Sequence, residues 1–180
     1  RQATFASPEA TRADPENLAI SHMNRRRLTY EELRDTLLQL SNRLAEDVNA
    51  VQRSTTDDTC RRTMFEPLDR RKTDVTAGIF DGPDSKAIVP VRAETTTAPQ
   101  ALFLMNNTLT VDTAKRLAER LTHDPRLATD AQRLERLWLL GLGRPIASEE
   151  AEIAQSFIEA HSWERFIQAL LGTNEFAYLD

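Results

Sequence analysis

The chain has 180 residues, of which 40% are apolar and 28% charged, a size and composition typical of one globular domain. Its net charge of −5, from 28 acidic and 23 basic residues, gives no electrostatic reason to bind nucleic acid or an anionic membrane surface. No apolar run approaches the roughly 20 residues that a membrane-spanning helix needs. Because Cys60 is the only cysteine, the chain cannot form an internal disulfide, a thiolate zinc site or a c-type haem attachment. We therefore expect no nucleic-acid partner, no membrane insertion and no cofactor held by this chain.

Two helices are predicted within residues 14–47. The first starts at residues 14–16, Asp-Pro-Glu, where a capping residue, a proline and an acid stand in the order typical of a helix start, and it runs towards Met23. The second starts at residues 29–32, Thr-Tyr-Glu-Glu, which have the spacing of a capping box. Its apolar side chains recur at helical spacing on one face: Leu33, Leu37, Leu40 and Leu44.

Residues 48–92 break this pattern with clusters of Thr, Asp and Arg and with scattered prolines and glycines. A long irregular stretch inside a compact domain is often functional or partly unstructured. Short apolar pieces interrupt it at residues 63–65 and 87–89. We expect a short helix from Asp74 to Phe80 and one or two short strands in this stretch.

Helical periodicity returns at Thr97 and continues to the end of the chain. One helix starts at Pro99, and Ser148 and Ser162 are placed to cap two later helices. The predicted apolar stripes are Ala101, Leu102 and Met105; Val111, Ala114, Leu117, Ala118 and Leu121; Leu127, Ala131, Leu134, Leu137 and Trp138; Ile153 and Phe157; and Trp163, Phe166, Ile167, Leu170 and Leu171.

Consecutive helices with short connections pack as antiparallel neighbours. The prediction is a mainly α, bundle-like single domain over residues 1–180. Residues 14–47 hold the N-terminal helices, residues 48–92 form an irregular insertion with its short strands between the second and third helices, and residues 97–180 form a C-terminal helical bundle.

Three adjacent arginines, Arg25, Arg26 and Arg27, form the first candidate site. A guanidinium fork holds a carboxylate or phosphate with two parallel hydrogen bonds, so such a cluster can clamp an anion. The ordinary alternative is that these side chains pair with the surplus acids of the chain or form a solvated charged face.

A second candidate site precedes the helix that starts at Pro99. Hydroxyls and backbone N–H groups at a helix N-terminus can dock an anion or a polar ligand, although helix caps use the same residue types. Arg92 and two residues near the end of the chain, Asn174 and Glu175, are also candidate ligand-binding residues. The ordinary alternative for Asn174 and Glu175 is that they bond the free backbone groups at a helix end. The remaining candidates are Glu94, Thr95, Thr96, Thr97, Gln100, Asn106 and Asn107.

Motifs of enzymes and metal sites give no further candidates. The chain has no Gly-x-Ser-x-Gly elbow, phosphate loop or dinucleotide fingerprint, which favours a non-catalytic role and leaves the catalytic residues unassigned. The three histidines, His22, His123 and His161, stand at no metal-ligand spacing, so we expect no metal site.

Four segments carry a resemblance when they are taken together and in order. They are residues 23–28 (MNRRRL), residues 95–102 (TTTAPQAL) with Asn106 and Asn107, residues 142–145 (LGRP) with Glu149 and Glu150, and residues 174–180 (NEFAYLD). In this order and spacing the chain resembles the planctomycete-type C-terminal domain of unknown function of large exported proteins. Residues 47–72 depart from the pattern of that domain in length and in sequence.

The resemblance implies a larger parent protein. Members of that group typically begin with a signal peptide and often carry a cytochrome-c-like haem domain and a second uncharacterised domain upstream. Their C-terminal domain starts before the position that corresponds to Arg1, so the chain would match its last two-thirds. An exported, periplasmic or cell-surface location follows, with haem only in an upstream domain of the same polypeptide.

Two hypotheses for function remain. The first is a structural or interaction module that docks on the upstream domains of its own polypeptide or on a protein partner, and an exposed apolar patch would support it. The second is a domain that binds or processes a substrate such as polysaccharide. It requires Arg25–Arg27 and the Thr95–Asn107 surface to line one cleft with a carboxylate such as Glu94 or Glu175.

Overall fold

The computed structural model describes residues 8–20, 25–45, 60–66, 74–83 and 90–179. Most of these residues are helical, which confirms the predicted mainly α domain. The N-terminal elements are α1 (Pro8–Ala13), β1 (Arg26–Arg27), α2 (Tyr30–Leu40), a 3-10 helix (Thr63–Phe65) and α3 (Val75–Ile79). The C-terminal elements are α4 (Ala98–Asn106), α5 (Thr108–Thr122), α6 (Asp130–Gly141), α7 (Ser148–Ala160), α8 (Trp163–Leu171), α9 (Asn174–Ala177) and β2 (Tyr178–Leu179). Within all of the described residues, none of the helices is long and apolar enough to cross a bilayer.

The first predicted helix is wrong. The structure places α1 earlier, and Asp14 follows it as a turn residue whose carboxylate accepts hydrogen bonds from the backbone N–H groups of Leu18 (2.9 Å) and Ala19 (2.7 Å). Asn17 and Ile20 have positive φ angles of 52° and 53°, which no helix allows. An aspartate suits a turn and a helix cap for the same reason, because its side chain bonds nearby N–H groups. The end of that predicted helix, Met23, lies outside the described residues.

The capping box of α2 is confirmed. The Thr29 hydroxyl accepts a hydrogen bond from the N–H of Glu32 at 3.3 Å, and the Glu32 carboxylate accepts one from the N–H of Thr29 at 2.9 Å. The predicted leucine face is buried within the helix, but α2 ends at Leu40 and Leu44 lies beyond it. The helix turns its apolar face to α5.

Helix α5 is the centre of the bundle and packs against α2, α4, α6 and α8. Its predicted stripe is buried except for Val111, which is 41% exposed. The facing helix α8 buries Ile167, Leu170 and Leu171, as predicted. The core therefore lies between α5 and α8, and the other helices extend it on both sides.

Helix α4 buries a face other than the predicted one, and α7 buries only part of its predicted face, since Phe157 packs against Phe166 with ring centroids 5.6 Å apart. In α4, Phe103 and Leu104 are buried, whereas Leu102 is 57% exposed and Met105 55% exposed. In α7, Ala154 is buried and Ile153 is 71% exposed. The apolar pattern of each helix is broad enough to fit two faces, and the packing of its neighbours selects one.

The irregular stretch contains the predicted short helix as α3, which Asp74 caps by accepting hydrogen bonds from the N–H groups of Thr76 and Ala77. Within its described parts there is no strand, and residues 63–65 form a 3-10 turn. The predicted piece at residues 87–89 lies outside the described residues. The two described strands lie outside this stretch, before α2 and at the end of the chain. β1 and β2 pair antiparallel, with Arg26 opposite Leu179 and Arg27 opposite Tyr178.

Two buried threonines on α5 offer a test of this packing. Thr110 and Thr113 are both fully buried, but only the hydroxyl of Thr113 donates a hydrogen bond, to the Leu37 carbonyl at 3.2 Å. The Thr110 hydroxyl has no partner among the described residues. Replacing an unpaired buried hydroxyl by a methyl group removes a desolvation cost, whereas removing a paired one loses its bond.

We expect Thr113→Val to lower the free energy of unfolding by about 1 kcal/mol and Thr110→Val to leave it unchanged or raise it by a similar amount. Urea denaturation of both variants and of the unaltered chain measures the difference. Equal losses in the two variants would show that the Thr110 hydroxyl is paired in solution.

Candidate functional site

Arg27 lies at the point where β1 meets the end of α3 and the segment before α4. Its guanidinium donates to Asp81 Oδ2 at 2.8 Å and to the carbonyl oxygens of Leu28 (3.1 Å), Phe80 (3.3 Å) and Thr95 (3.2 Å). The guanidinium also stands 5.4 Å from the centre of the Phe80 ring, within the range of a cation–π contact. The side chain is only 9% exposed, so this charge is buried and paired.

Asp81 is the counterion of Arg27 and a residue that the sequence did not suggest. Its carboxylate accepts hydrogen bonds from the N–H of Thr95 at 2.8 Å and from the Thr95 hydroxyl at 2.9 Å. Its backbone has a positive φ of 55°, in the left-handed region that aspartate tolerates better than most residues. Burial alone would raise the pKa of Asp81, but the hydrogen bonds from Thr95 and the charge of Arg27 outweigh it and lower the pKa.

Gln100 joins the same group from the first turn of α4. Its side chain is 4% exposed, its Nε2 donates to the Ile79 carbonyl at 2.9 Å, and its Oε1 accepts from the N–H of Thr97 at 3.1 Å. We call Arg27, Asp81, Thr95 and Gln100 the Arg27 cluster. The two predicted candidate segments therefore do meet, but the carboxylate between them is Asp81 and not Glu94 or Glu175.

A second layer of contacts lies beside the Arg27 cluster. The Arg25 guanidinium stands 4.8 Å from the centre of the Tyr178 ring, and the Tyr178 hydroxyl is 2.9 Å from the Thr96 hydroxyl. These contacts fix β2 to both candidate segments. Glu94 is exposed and contributes to the raised pKa of Arg26, after the larger effect of the hydrogen bond from Arg26 to Glu32.

The two other candidate arginines form exposed or half-buried ion pairs. Arg26 binds both oxygens of Glu32 at 2.7 and 2.8 Å, and Arg92 binds both oxygens of Glu31 at 2.6 and 2.9 Å. The hydrogen bond from Arg26 is the main cause that lowers the pKa of Glu32 to about 2. Both pairs connect the flanking segments to the first turn of α2.

The remaining candidates lie away from the Arg27 cluster. Asn106 and Asn107 are at the opposite end of α4, where Asn107 caps α5 by accepting from the N–H of Leu109 at 2.9 Å. Asn174 is exposed at the start of α9. Glu175 binds Arg144 at 2.6 Å.

Arg144, like Asp81, forms ion pairs within the domain and was not among the candidate residues from the sequence. It follows Gly143, which has a φ of 71°, and its guanidinium lies between the carboxylates of Glu150 and Glu175. The hydrogen bond from Arg144 is the main cause that lowers the pKa of Glu150 to about 2. This triad ties the loop before α7 to α9. Arg144 and Glu150 both belong to the segments that carry the family resemblance. That membership is the one feature of the sequence that could have pointed to them.

The chemistry of these groups is that of paired ions. Across the described ranges, no group of three or more His, Cys, Asp and Glu residues is placed to hold a metal ion. His123 contacts the Glu119 carbonyl at 2.9 Å through Nδ1, and His161 packs on the ring of Phe157, whereas His22 lies outside the described residues.

The neighbouring arginines Arg26 and Arg27 give a matched test of burial. We expect Arg27→Gln to lower the free energy of unfolding by about 1–3 kcal/mol, because it leaves the half-buried Asp81 charged without its counterion and breaks the bonds of Arg27 to backbone carbonyls. Arg26→Gln removes an exposed ion pair and should cost less than about 1 kcal/mol. Chemical denaturation measures both, and a loss for Arg27→Gln as small as that for Arg26→Gln would contradict the buried-pair interpretation.

The Arg144 triad gives a pH dependence. The pKa of Glu150 is about 2 in the folded chain and 4.5 as an ordinary value, so its ion pair stabilises the fold above pH 4.5 and is lost as the pH falls towards 2. The melting temperature should fall more steeply over this interval in the unaltered chain than in Arg144→Gln. Parallel pH profiles of the two proteins would show that Glu150 titrates normally.

Comparison with known proteins identifies a family. A family model described as PSD1, protein of unknown function (DUF1553), matches residues 1–158. No curated protein and no solved structure matches the chain. The matched range includes the whole Arg27 cluster and ends within α7, so α8, α9 and β2 lie beyond it. The expected relation to a domain of unknown function is thereby confirmed, and the chain belongs to the PSD1 family of proteins of unknown function.

Proposed function

We propose that this domain is a non-catalytic structural and interaction module of a larger exported protein. The observation that supports it best is that four of the charged candidate residues, Arg26, Arg27, Arg92 and Glu175, bind partners inside the domain. The pairs are Arg26 with Glu32, Arg27 with Asp81, Arg92 with Glu31, and Glu175 with Arg144. An external ligand would have to displace these partners before it could use the same groups.

The direction of the pKa shifts also supports a non-catalytic role. A carboxylate that serves as a general acid or base near neutral pH works best with a raised pKa. In this domain the pKa is lowered for Glu31, Glu32, Asp81 and Glu150. These carboxylates act as permanent anions that hold arginines in place.

Exposed apolar side chains supply a surface for the interaction role. Among the described residues before α4, several apolar side chains are at least 70% exposed: Leu18, Ile20, Met64, Val75 and Val91. Val75 follows Asp74, which accepts a hydrogen bond from the Tyr30 hydroxyl. Val91 precedes Arg92, which donates to Glu31. Tyr30 and Glu31 both stand in the first turn of α2. Both valines therefore adjoin segments that are tied to the first turn of α2, and each is an exposed apolar side chain that a contact from another domain would cover.

The partner that we propose is the upstream part of the same polypeptide. The support is the resemblance of the four sequence segments to domains that follow a signal peptide and a cytochrome-c-like haem domain. On this proposal the protein is planctomycete-type, periplasmic or at the cell surface. Its haem is bound upstream and not by this chain.

Calorimetric titration of this chain with the separately produced upstream part of its parent tests the proposal. We expect saturable binding with a dissociation constant near 1 μM, which Val75→Asp and Val91→Asp weaken at least about tenfold and the control Ile153→Asp leaves unchanged. Absence of heat at several temperatures would overturn docking onto the upstream domains.

The polysaccharide hypothesis is the competing outcome. It gains some support because the Arg25–Arg27 and Thr95 segments meet beside Tyr178. A polysaccharide-binding screen with Arg26→Ala and Thr96→Ala separates the two functions. Binding that is lost in both variants, while their circular dichroism and melting temperature are unchanged, would replace the interaction module with a carbohydrate-binding domain.

A further inference from the structure

The pair Asp81–Gly82, directly after α3, joins two residues whose chemistry favours rearrangement of the main chain. Of the five glycines in the sequence, only Gly82 follows an aspartate or an asparagine. The backbone nitrogen of one residue can attack the side-chain carboxyl of an aspartate before it. Glycine hinders this attack least, because it has no side chain. The sequence therefore holds one place where such a rearrangement is easiest.

The structure requires glycine at position 82. A Cβ atom there would stand 2.7 Å from the Cβ and 2.8 Å from the carbonyl oxygen of Ala77. Both distances are shorter than non-bonded atoms tolerate, and Ala77 is itself buried on α3. Any side chain at position 82 would therefore displace the end of α3.

Position 81 is constrained as well. The Asp81 carboxylate is the counterion of the buried Arg27, and its φ of 55° is one that aspartate and asparagine tolerate better than most residues. An asparagine would keep this turn but would leave the charge of Arg27 without its counterion. The fold thus demands an aspartate followed by a glycine, which is a combination open to rearrangement.

The contacts of the Arg27 cluster occupy both of the groups that would react. The Asp81 carboxylate is 15% exposed and accepts bonds from Arg27 and from the N–H and hydroxyl of Thr95. The Gly82 N–H donates to the Ala77 carbonyl at 2.6 Å. An ionised carboxylate is a poor electrophile, and the neighbouring guanidinium favours the ionised form. The rearrangement therefore requires these contacts to open first.

We propose that Asp81–Gly82 is a site of spontaneous isoaspartate formation and that the Arg27 cluster controls its rate. When the cluster opens locally, the Gly82 nitrogen bonds to the side-chain carbonyl carbon of Asp81. The carboxyl hydroxyl and the amide hydrogen leave together as water, and a cyclic succinimide remains. Addition of water to one ring carbonyl restores aspartate. Addition to the other leaves the main chain running through the side chain of residue 81.

The rearranged chain cannot rebuild the Arg27 cluster. Isoaspartate adds one carbon atom to the main chain and attaches the free carboxylate directly to the α carbon. This carboxylate no longer reaches Arg27 and Thr95 in the observed geometry, so Arg27 is left buried without its counterion. The modification therefore loosens the junction of β1, α3 and the entry to α4, and it does so without a ligand or a partner protein.

Incubation of the 180-residue chain at neutral pH in water enriched in heavy oxygen measures the reaction. Each succinimide that hydrolyses takes one oxygen from the solvent, and peptide mapping by mass spectrometry locates this label. Methylation by an isoaspartyl methyltransferase detects the rearranged product. We expect slow labelling at Asp81 in the folded chain and labelling at least about tenfold faster in concentrated guanidinium chloride, where the cluster is open.

Substitutions separate the effect of the cluster from that of overall stability. Arg27→Gln should speed labelling at Asp81 at least about fivefold, because it raises the population of the open cluster. Thr95→Val removes one bond to the carboxylate and should act in the same direction. Arg26→Gln breaks an exposed ion pair, and Thr113→Val destabilises the core away from the cluster, so both should label as slowly as the unaltered chain. Circular dichroism establishes that each variant is folded.

Four results would overturn the proposal. If the denatured chain carries no more label at Asp81 than at its other aspartates, the pair is not a preferred site. Equal labelling rates in the folded and denatured chains would show that the cluster gives no protection. The same holds if neither Arg27→Gln nor Thr95→Val labels faster than the unaltered chain. If Thr113→Val speeds labelling as much as Arg27→Gln, global unfolding and not the cluster sets the rate.

Discussion

The burial of one guanidinium, that of Arg27, constrains how the part of the domain before α4 is assembled. A buried charge is tolerated only when it is paired and its hydrogen-bonding groups are satisfied. For Arg27 these partners come from separate segments, with Asp81 and the Phe80 carbonyl at the end of α3 and the Thr95 carbonyl before α4. One side chain thus contacts β1, the end of α3 and the entry to α4, and the bonds from Thr95 to Asp81 and from Gln100 to the Ile79 carbonyl strengthen the same junction.

The parts of the fold that depend on local sequence could be predicted. The capping box at Thr29 and the leucine face of α2 involve residues within one or two turns of each other, and the stripes of α5 and α8 are equally local. The errors arise where one local pattern fits two structures. Asp14 suits a turn as well as a helix cap, and α4 has two apolar faces, of which tertiary packing buries only one.

The candidate site was predictable only in part. Arg27, Thr95 and Gln100 were named from the sequence because arginine runs and helix starts are visible there. Asp81 was not, since its role follows from a contact across 54 positions between the irregular stretch and β1. Such a contact leaves no spacing signal in a single sequence. The same holds for Glu175, which was named but not matched to Arg144.

The short pairing of β1 with β2 also has a consequence for biosynthesis. Arg27 lies opposite Tyr178, and the N–H of Leu28 donates to the Ala177 carbonyl at 2.8 Å, so the first strand finds its partner only about 150 positions later. Contacts between such distant residues form late, because loop closure precedes any gain from them. On a ribosome, the helical core from α4 to α8 can assemble while the first strand is still unpaired.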